Sequence, residues 1–163
     1  TMQGLQQAGI PYVGFVFIGL IKVGENPKVI EYNVRMGDPE TQVVLPRIQN
    51  DLFELLHATA REMIDIIKRS FDKRTVSTIV AVSGGYPESY EKGKAIRGID
   101  PSDFVVHAGT AMVDEELVTS GGRVLSATGV GDDHNQAIAQ SYQALSKIDF
   151  EGIYYRKDIG FDL

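Results

Sequence analysis

The chain has 163 residues, 43% of them hydrophobic, with 22 acidic against 16 basic side chains and a formal net charge of -6. That length suits one domain or one and a half with an ordinary core, and an acidic balance without a basic block argues against nucleic acid as a partner. The absence of cysteine excludes disulfides, zinc–thiolate sites and thiol catalysis, and fits a reducing compartment.

Residues 1–11 read as a helix end or loop broken by Gly4, Gly9 and Pro11. Residues 12–23, YVGFVFIGLIKV, read as a buried strand. The apolar stretch from Ile10 to Val23 is interrupted by Pro11, Gly14, Gly19 and Lys22. It falls short of the roughly 20 apolar residues that a bilayer span requires, so no membrane segment is expected, and no cleavable leader is visible. Gly24-Glu25-Asn26-Pro27 reads as a turn and residues 28–35, KVIEYNVR, as a second strand, which predicts a hairpin. Gly37-Asp38-Pro39-Glu40 is expected to open a short helix, with Asp38 as its cap and Pro39 in its first turn, ended by Pro46.

Residues 51–70 are predicted to form one helix, because Leu52, Leu55, Leu56, Ala60, Met63, Ile64 and Ile67 fall on one stripe. After Lys73-Arg74 the pattern becomes strand-like. Strands are predicted at 76–83, near 104–108, at 111–119 and at 123–130, then a helix over 134–148 capped by Asp133, and a last strand near 153–157. The break near 70–76 divides the chain into an expected first domain, 1–73, and a second, 74–163.

Alternation in 28–35 carries the chemistry. Side chains two apart on a strand share a face, roughly 7 Å from one to the next. Ile30, Tyr32 and Val34 are therefore expected on a core face, with Glu31, Asn33 and Arg35 in a row on the other. Magnesium takes hard oxygen ligands, which Glu31 and Asn33 can supply, and Arg35 can pair with a phosphate or carboxylate oxygen beside them. Alone, E-x-N-x-R fits a solvated face with an incidental ion pair equally well. The Gly37-Asp38-Pro39-Glu40-Thr41 turn adds a helix start, which favours anions, although simple capping also accounts for Asp38 and Pro39.

The segment KVIEYNVRMGDPETQVVLPRI resembles the signature of the phosphoribosylamine–glycine ligases, or glycinamide ribonucleotide synthetases, of the ATP-grasp superfamily. E-x-N-x-R is common to many ATP-grasp ligases, whereas the R-x-G-D-P-E-T-Q continuation is specific to this family. The Tyr12–Leu20 segment resembles its preceding strand. Gly84-Gly85-Tyr86-Pro87, His107-Ala108-Gly109-Thr110, Thr119-Ser120-Gly121-Gly122-Arg123-Val124-Leu125 and Tyr155-Arg156-Lys157-Asp158-Ile159-Gly160 resemble its C-terminal domain. The resemblance covers essentially the whole chain. Many other ATP-grasp ligases carry a further acid on the preceding strand; Phe17-Ile18-Gly19-Leu20 has none, as in the glycine ligases.

The resemblance implies an α+β fold: the second half of an ATP-grasp domain, an antiparallel sheet with helices, followed by a small mixed β/α C-terminal domain. It implies a cytoplasmic enzyme of purine biosynthesis that joins glycine to 5-phosphoribosylamine with ATP as substrate, through glycyl phosphate. Glu31 and Asn33 match the family's Mg2+ or Mn2+ ligands, Arg35 matches a catalytic residue, and Asp38 and Glu40 fall where the acceptor is bound. The nucleotide-covering lobe and the N-terminal domain have no counterpart here, and no G-x-x-x-x-G-K-[ST] loop replaces them. The isolated chain is therefore expected to be inactive, its partners being the missing N-terminal lobes of the same polypeptide. Two alternatives remain open: another ATP-grasp ligase, or a non-catalytic scaffold that binds a partner chain. His57, His107 and His134 read as structural or surface residues, and Arg156 and Asp158 as an ion pair.

Overall fold

The computed structural model describes residues 1–162. Among them, no helix is long and apolar enough to cross a membrane. Every strand pairing is antiparallel, and the chain separates into two compact units, Thr1–Thr41 with Ile48–Phe71, and Gln42–Arg47 with Asp72 onward. The fold is α+β, as expected.

The first unit opens with helix α1 (Met2–Gln7), which runs through Gly4. Strands β1 (Phe17–Val23) and β2 (Asn26–Asn33) then form a two-stranded hairpin. Its loop is only Gly24-Glu25, since Val23 pairs with Asn26. The left-handed Gly24, at φ 59°, supplies the backbone that so short a loop requires.

The buried strand expected over 12–23 is corrected on two points. It starts at Phe17, and most of it is exposed, Leu20 at 57%. The face assigned to a core in β2 is exposed too, with Ile30 at 65% and Val34 at 71%. Two strands and a six-residue helix supply too little side-chain volume to close over that face.

Helix α2 (Thr41–Val44) follows, and a 3-10 turn over Leu45–Arg47 contains Pro46. Asp38 and Pro39, joined by a cis peptide bond, lie in a turn, and the helix begins only at Thr41, so Pro39 precedes the first helical turn expected to contain it. At four residues, α2 is too short to build the dipole that an anion site needs.

Helix α3 (Leu52–Ala60) is capped by Asp51, whose side chain accepts from the Glu54 amide at 2.9 Å. It ends about ten residues before the predicted end. The Glu62 amide donates to the Thr59 carbonyl and the Met63 amide reaches back to the Ala58 carbonyl. Glu62 itself is left-handed, at φ 57°. This is a Schellman ending with glutamate in the position usually held by glycine. The apolar stripe continues past it into a separate 3-10 turn, Ile64–Ile66.

The second unit is built on a three-stranded sheet ordered β3 (Thr75–Val82), β7 (Arg123–Gly131), β4 (Phe104–His107). Central β7 is buried along nearly its whole length, and Val124, Leu125 and Ala127 are fully enclosed. Helix α4 (His134–Leu145) is capped by Asp133, which accepts from the Gln136 amide at 2.8 Å. Its buried residues Ala137, Ser141, Ala144 and Leu145 recur at helical spacing and form the face turned to the sheet. Contact is close because β7 presents Gly129, where an added Cβ would strike the Ala137 carbonyl oxygen and come within 2.7 Å of the Ser141 amide nitrogen. Ser141 Oγ also lies 2.7 Å from Ser77 Oγ on β3, which satisfies both hydroxyls.

The single strand expected over 111–119 is a hairpin, β5 (Thr110–Val113) and β6 (Glu116–Thr119). Asp114 and Glu115 turn it with positive φ angles of 47° and 65°, the backbone of a two-residue hairpin loop that usually selects Asn-Gly. The last expected strand, near 153–157, is reduced to one bridge between Val82 and Tyr154.

Candidate functional site

Two of the three residues in the predicted row meet. Glu31 and Asn33 share one face of β2, and Asn33 Nδ2 donates to Glu31 Oε1 at 3.0 Å. The partner strand sets Gly19 opposite Glu31 and Phe17 opposite Asn33. Directly opposed side chains share a face, so β1 brings no acid to the row. The register slips between Gly19 and Leu20, leaving Ile30 as a bulge beside Glu31.

Arg35 departs from the alternation. The strand ends at Asn33, the chain bends at Val34 and Arg35, and the Arg35 guanidinium donates to the Met36 carbonyl at 3.1 Å. The bend is held from outside the motif. Tyr12 Oη donates to the Val34 carbonyl at 3.1 Å and lies 2.7 Å from the Phe15 carbonyl. The tyrosine's role had no sequence signal, since its partners are backbone atoms.

Beyond the bend, Gly37 is buried and its carbonyl accepts from the Thr41 amide at 3.0 Å. A Cβ at Gly37 would strike the Glu40 carboxylate, so Glu40 folds back against the backbone of its own turn. Asp38 is exposed on that turn.

The other face of the hairpin is apolar. Leu5, Ile10, Tyr12, Val16, Tyr32 and Val34 line a cavity of about 410 Å³, and Asn33 reaches its rim.

The donor set at Glu31 and Asn33 fits a hard divalent ion. Magnesium–oxygen bonds of about 2.1 Å place adjacent ligands of an octahedron about 3 Å apart, and Glu31 Oε1 lies 3.0 Å from the end of the Asn33 carboxamide. Turning that amide over exchanges its nitrogen for Oδ1 and presents two oxygens along such an edge. One carboxylate and one amide leave the remaining positions to water or phosphate oxygens, the usual shell of magnesium. Among the described residues no group of three or more His, Cys, Asp or Glu side chains is placed to hold a metal.

The remaining candidates have ordinary partners. His107 Nδ1 lies 3.2 Å from Thr110 Oγ1, and the exposed His57 ring stacks on Phe53 at 5.8 Å. His134 begins α4. Arg156 and Asp158 form the expected pair, at 2.9 and 2.8 Å. The guanidinium holds the Asp158 carboxyl below its ordinary range.

Known proteins resemble this chain over nearly its whole length. Residues 76–162 match the model of the phosphoribosylglycinamide synthetase C domain, and residues 1–41 that of the phosphoribosylglycinamide synthetase ATP-grasp (A) domain. The phosphoribosylamine–glycine ligase of Caldanaerobacter subterraneus subsp. tengcongensis is 43% identical over 98% of this chain and 39% of its own length. The trifunctional purine biosynthetic protein adenosine-3 of Gallus gallus is 39% identical over 99% of this chain and 17% of its own. The crystal structure of the phosphoribosylamine–glycine ligase of Thermotoga maritima superposes with a TM-score of 0.86 at 33% identity, over 96% of this chain and 39% of that one. The chain thus spans about two fifths of the length of the single-function relatives it matches. The C-domain match over more than half of the chain, with these relatives beside it, shows that the chain belongs to the phosphoribosylamine–glycine ligase family.

Proposed function

We propose that this chain is the C-terminal portion of a ligase that joins glycine to 5-phosphoribosylamine, giving glycinamide ribonucleotide, ADP and phosphate. In this reading residues 1–73 complete an ATP-grasp domain and residues 74–163 form the C-terminal domain. The enzyme is cytoplasmic, and the preceding lobes of the same polypeptide close over the nucleotide.

The observation that carries the reading is the contact of Glu31 with Asn33 at 3.0 Å, within the segment matched to the ATP-grasp (A) domain. These two side chains would hold Mg2+ or Mn2+. Bound there, the ion would neutralise charge developing on the transferring phosphoryl group. Arg35 serves the same end by turning its guanidinium from the Met36 carbonyl to a phosphate or carboxylate oxygen. Asp38, and Glu40 once its carboxylate turns away from the Gly37 backbone, would face the acceptor.

A glycine carboxylate oxygen attacks the γ-phosphorus of ATP, the bond to the β-phosphate oxygen breaks, and ADP leaves. The phosphoribosylamine nitrogen then attacks the acyl carbon of glycyl phosphate, loses a proton and expels phosphate. The protein's task is positioning and charge compensation.

The test is a chimera in which this chain replaces the matching segment of the Caldanaerobacter relative. The chimera is expected to release ADP in a manner dependent on glycine and phosphoribosylamine, and Glu31→Ala in it to lower the rate at least about 100-fold. The isolated chain is expected to release none. Full activity of the Glu31→Ala chimera would remove the metal role, and turnover by the isolated chain would remove the claim that further lobes are required.

A further inference from the structure

We infer that Gly19 is a positioning residue for the Glu31 carboxylate: the missing side chain opposite Glu31 is what lets that carboxylate lie against the Asn33 carboxamide. The inference rests on the reading of Glu31 and Asn33 as a cation-binding pair, and adds a residue on the other strand that nothing in the motif contains.

Four observations carry it. Gly19 is the cross-strand partner of Glu31. A Cβ built on Gly19 would stand 3.0 Å from Glu31 Cγ and 3.7 Å from Glu31 Oε1, closer than carbon atoms pack at their optimal separation of about 3.5–4.0 Å. Glu31 Oε1 is also the atom that accepts from Asn33 at 3.0 Å. Gly19 stands between Phe17-Ile18 and Leu20-Ile21, large apolar residues on either side of it in β1. Glycine inside such a strand marks a close approach rather than a strand preference.

The consequence is geometric. A methyl group at position 19 would press on Glu31 Cγ at 3.0 Å, and the exposed Glu31 side chain is expected to yield by turning its Cγ toward solvent. Such a turn would separate Oε1 from the Asn33 amide and open the 3 Å edge on which a metal shell depends. Replacing glycine by alanine inside a strand narrows the unfolded ensemble, so the variant keeps its hairpin while losing the alignment. Gly4, around which an added Cβ meets nothing within 4 Å, supplies the control.

The experiment uses the 163-residue chain, labelled with 15N, and two readouts. Without metal, the nuclear Overhauser contact between the Asn33 side-chain amide protons and the Glu31 γ-protons is measured. With substoichiometric Mn2+, paramagnetic broadening of the Asn33 amide resonance is measured. Gly19→Ala is expected to reduce both the Overhauser contact and the broadening at least about fivefold, with the resonances of Lys22–Asn26 unchanged and Gly4→Ala like wild type. An undiminished Overhauser contact in Gly19→Ala would overturn the positioning role, whatever the metal does. A reduced contact in Gly19→Ala, with no Mn2+ broadening in wild type, supports the positioning role and removes the metal reading instead.

Discussion

Asn33 Nδ2 and Glu31 Oε1 lie 3.0 Å apart on one face of β2, with Gly19 and Phe17 across from them and no second acid in the row. Cation affinity at such a pair follows from the number of charged oxygens it offers. Asn33→Asp is expected to raise Mn2+ affinity about tenfold and Asn33→Leu to abolish selective binding, both read from relaxation enhancement of water protons. Equal affinity in all three proteins would show that Asn33 is no ligand.

Helix α3 stops at a glutamate held in the left-handed region. Glu62 has φ 57° because the Schellman hydrogen bonds from Glu62 to Thr59 and from Met63 to Ala58 require it. Glycine adopts that backbone without Cβ strain. Glu62→Gly is expected to stabilise the first unit by about 0.5–1 kcal/mol, seen as a higher urea midpoint at an unchanged slope.

Gly129 is a point of close approach between α4 and β7. With the Ala137 carbonyl and the Ser141 amide already in the way, a methyl group there must push the helix off the sheet. Gly129→Ala is expected to destabilise the second unit by about 1–3 kcal/mol, the usual cost of overpacking. Protection of the β7 amides from hydrogen exchange should fall with it.

The acid response of the second unit has a definite sign at Asp100. Ser102, through its hydroxyl and its amide, and then Lys147 hold the Asp100 carboxyl at about 2, below the ordinary 3.8. A lowered carboxyl contributes stability that is fully present above the unfolded value and is lost as pH falls through the folded one. Between pH 3.8 and about 2, wild type should therefore lose a stability contribution that Asp100→Asn lacks. Carboxyl 13C titration of Asp100 should give the low midpoint directly. A midpoint near the ordinary value would show that these contacts do not persist in solution.

Much of the local structure was legible in the residues. The 3.6-residue stripe located the start of α3 and the Asp133 cap that of α4, because both signals act within one helical turn, whereas the Asp51 cap emerged only in the structure. Alternation and the Gly24 turn placed the hairpin, and the same alternation put Glu31 and Asn33 on one face. The misreadings have two causes. Glu62, Asp114 and Glu115 hold positive φ without being glycine, so the helix stop and the β5–β6 turn carried no compositional mark. Arg35 left the row because the strand ended two residues earlier, where the Val34 carbonyl lies 3.1 Å from the hydroxyl of Tyr12, distant in sequence.

The sequence by itself determined which residues could pair: a carboxylate and a carboxamide two positions apart, in a family motif that a single strand displays. Only the tertiary structure decided what stands opposite them. Cross-strand register is set by loop geometry and by a bulge at Ile30, neither of which composition encodes. By that register Gly19, rather than an acid or a bulky apolar residue, faces Glu31, and its missing side chain is the space in which the Glu31 carboxylate can turn toward Asn33.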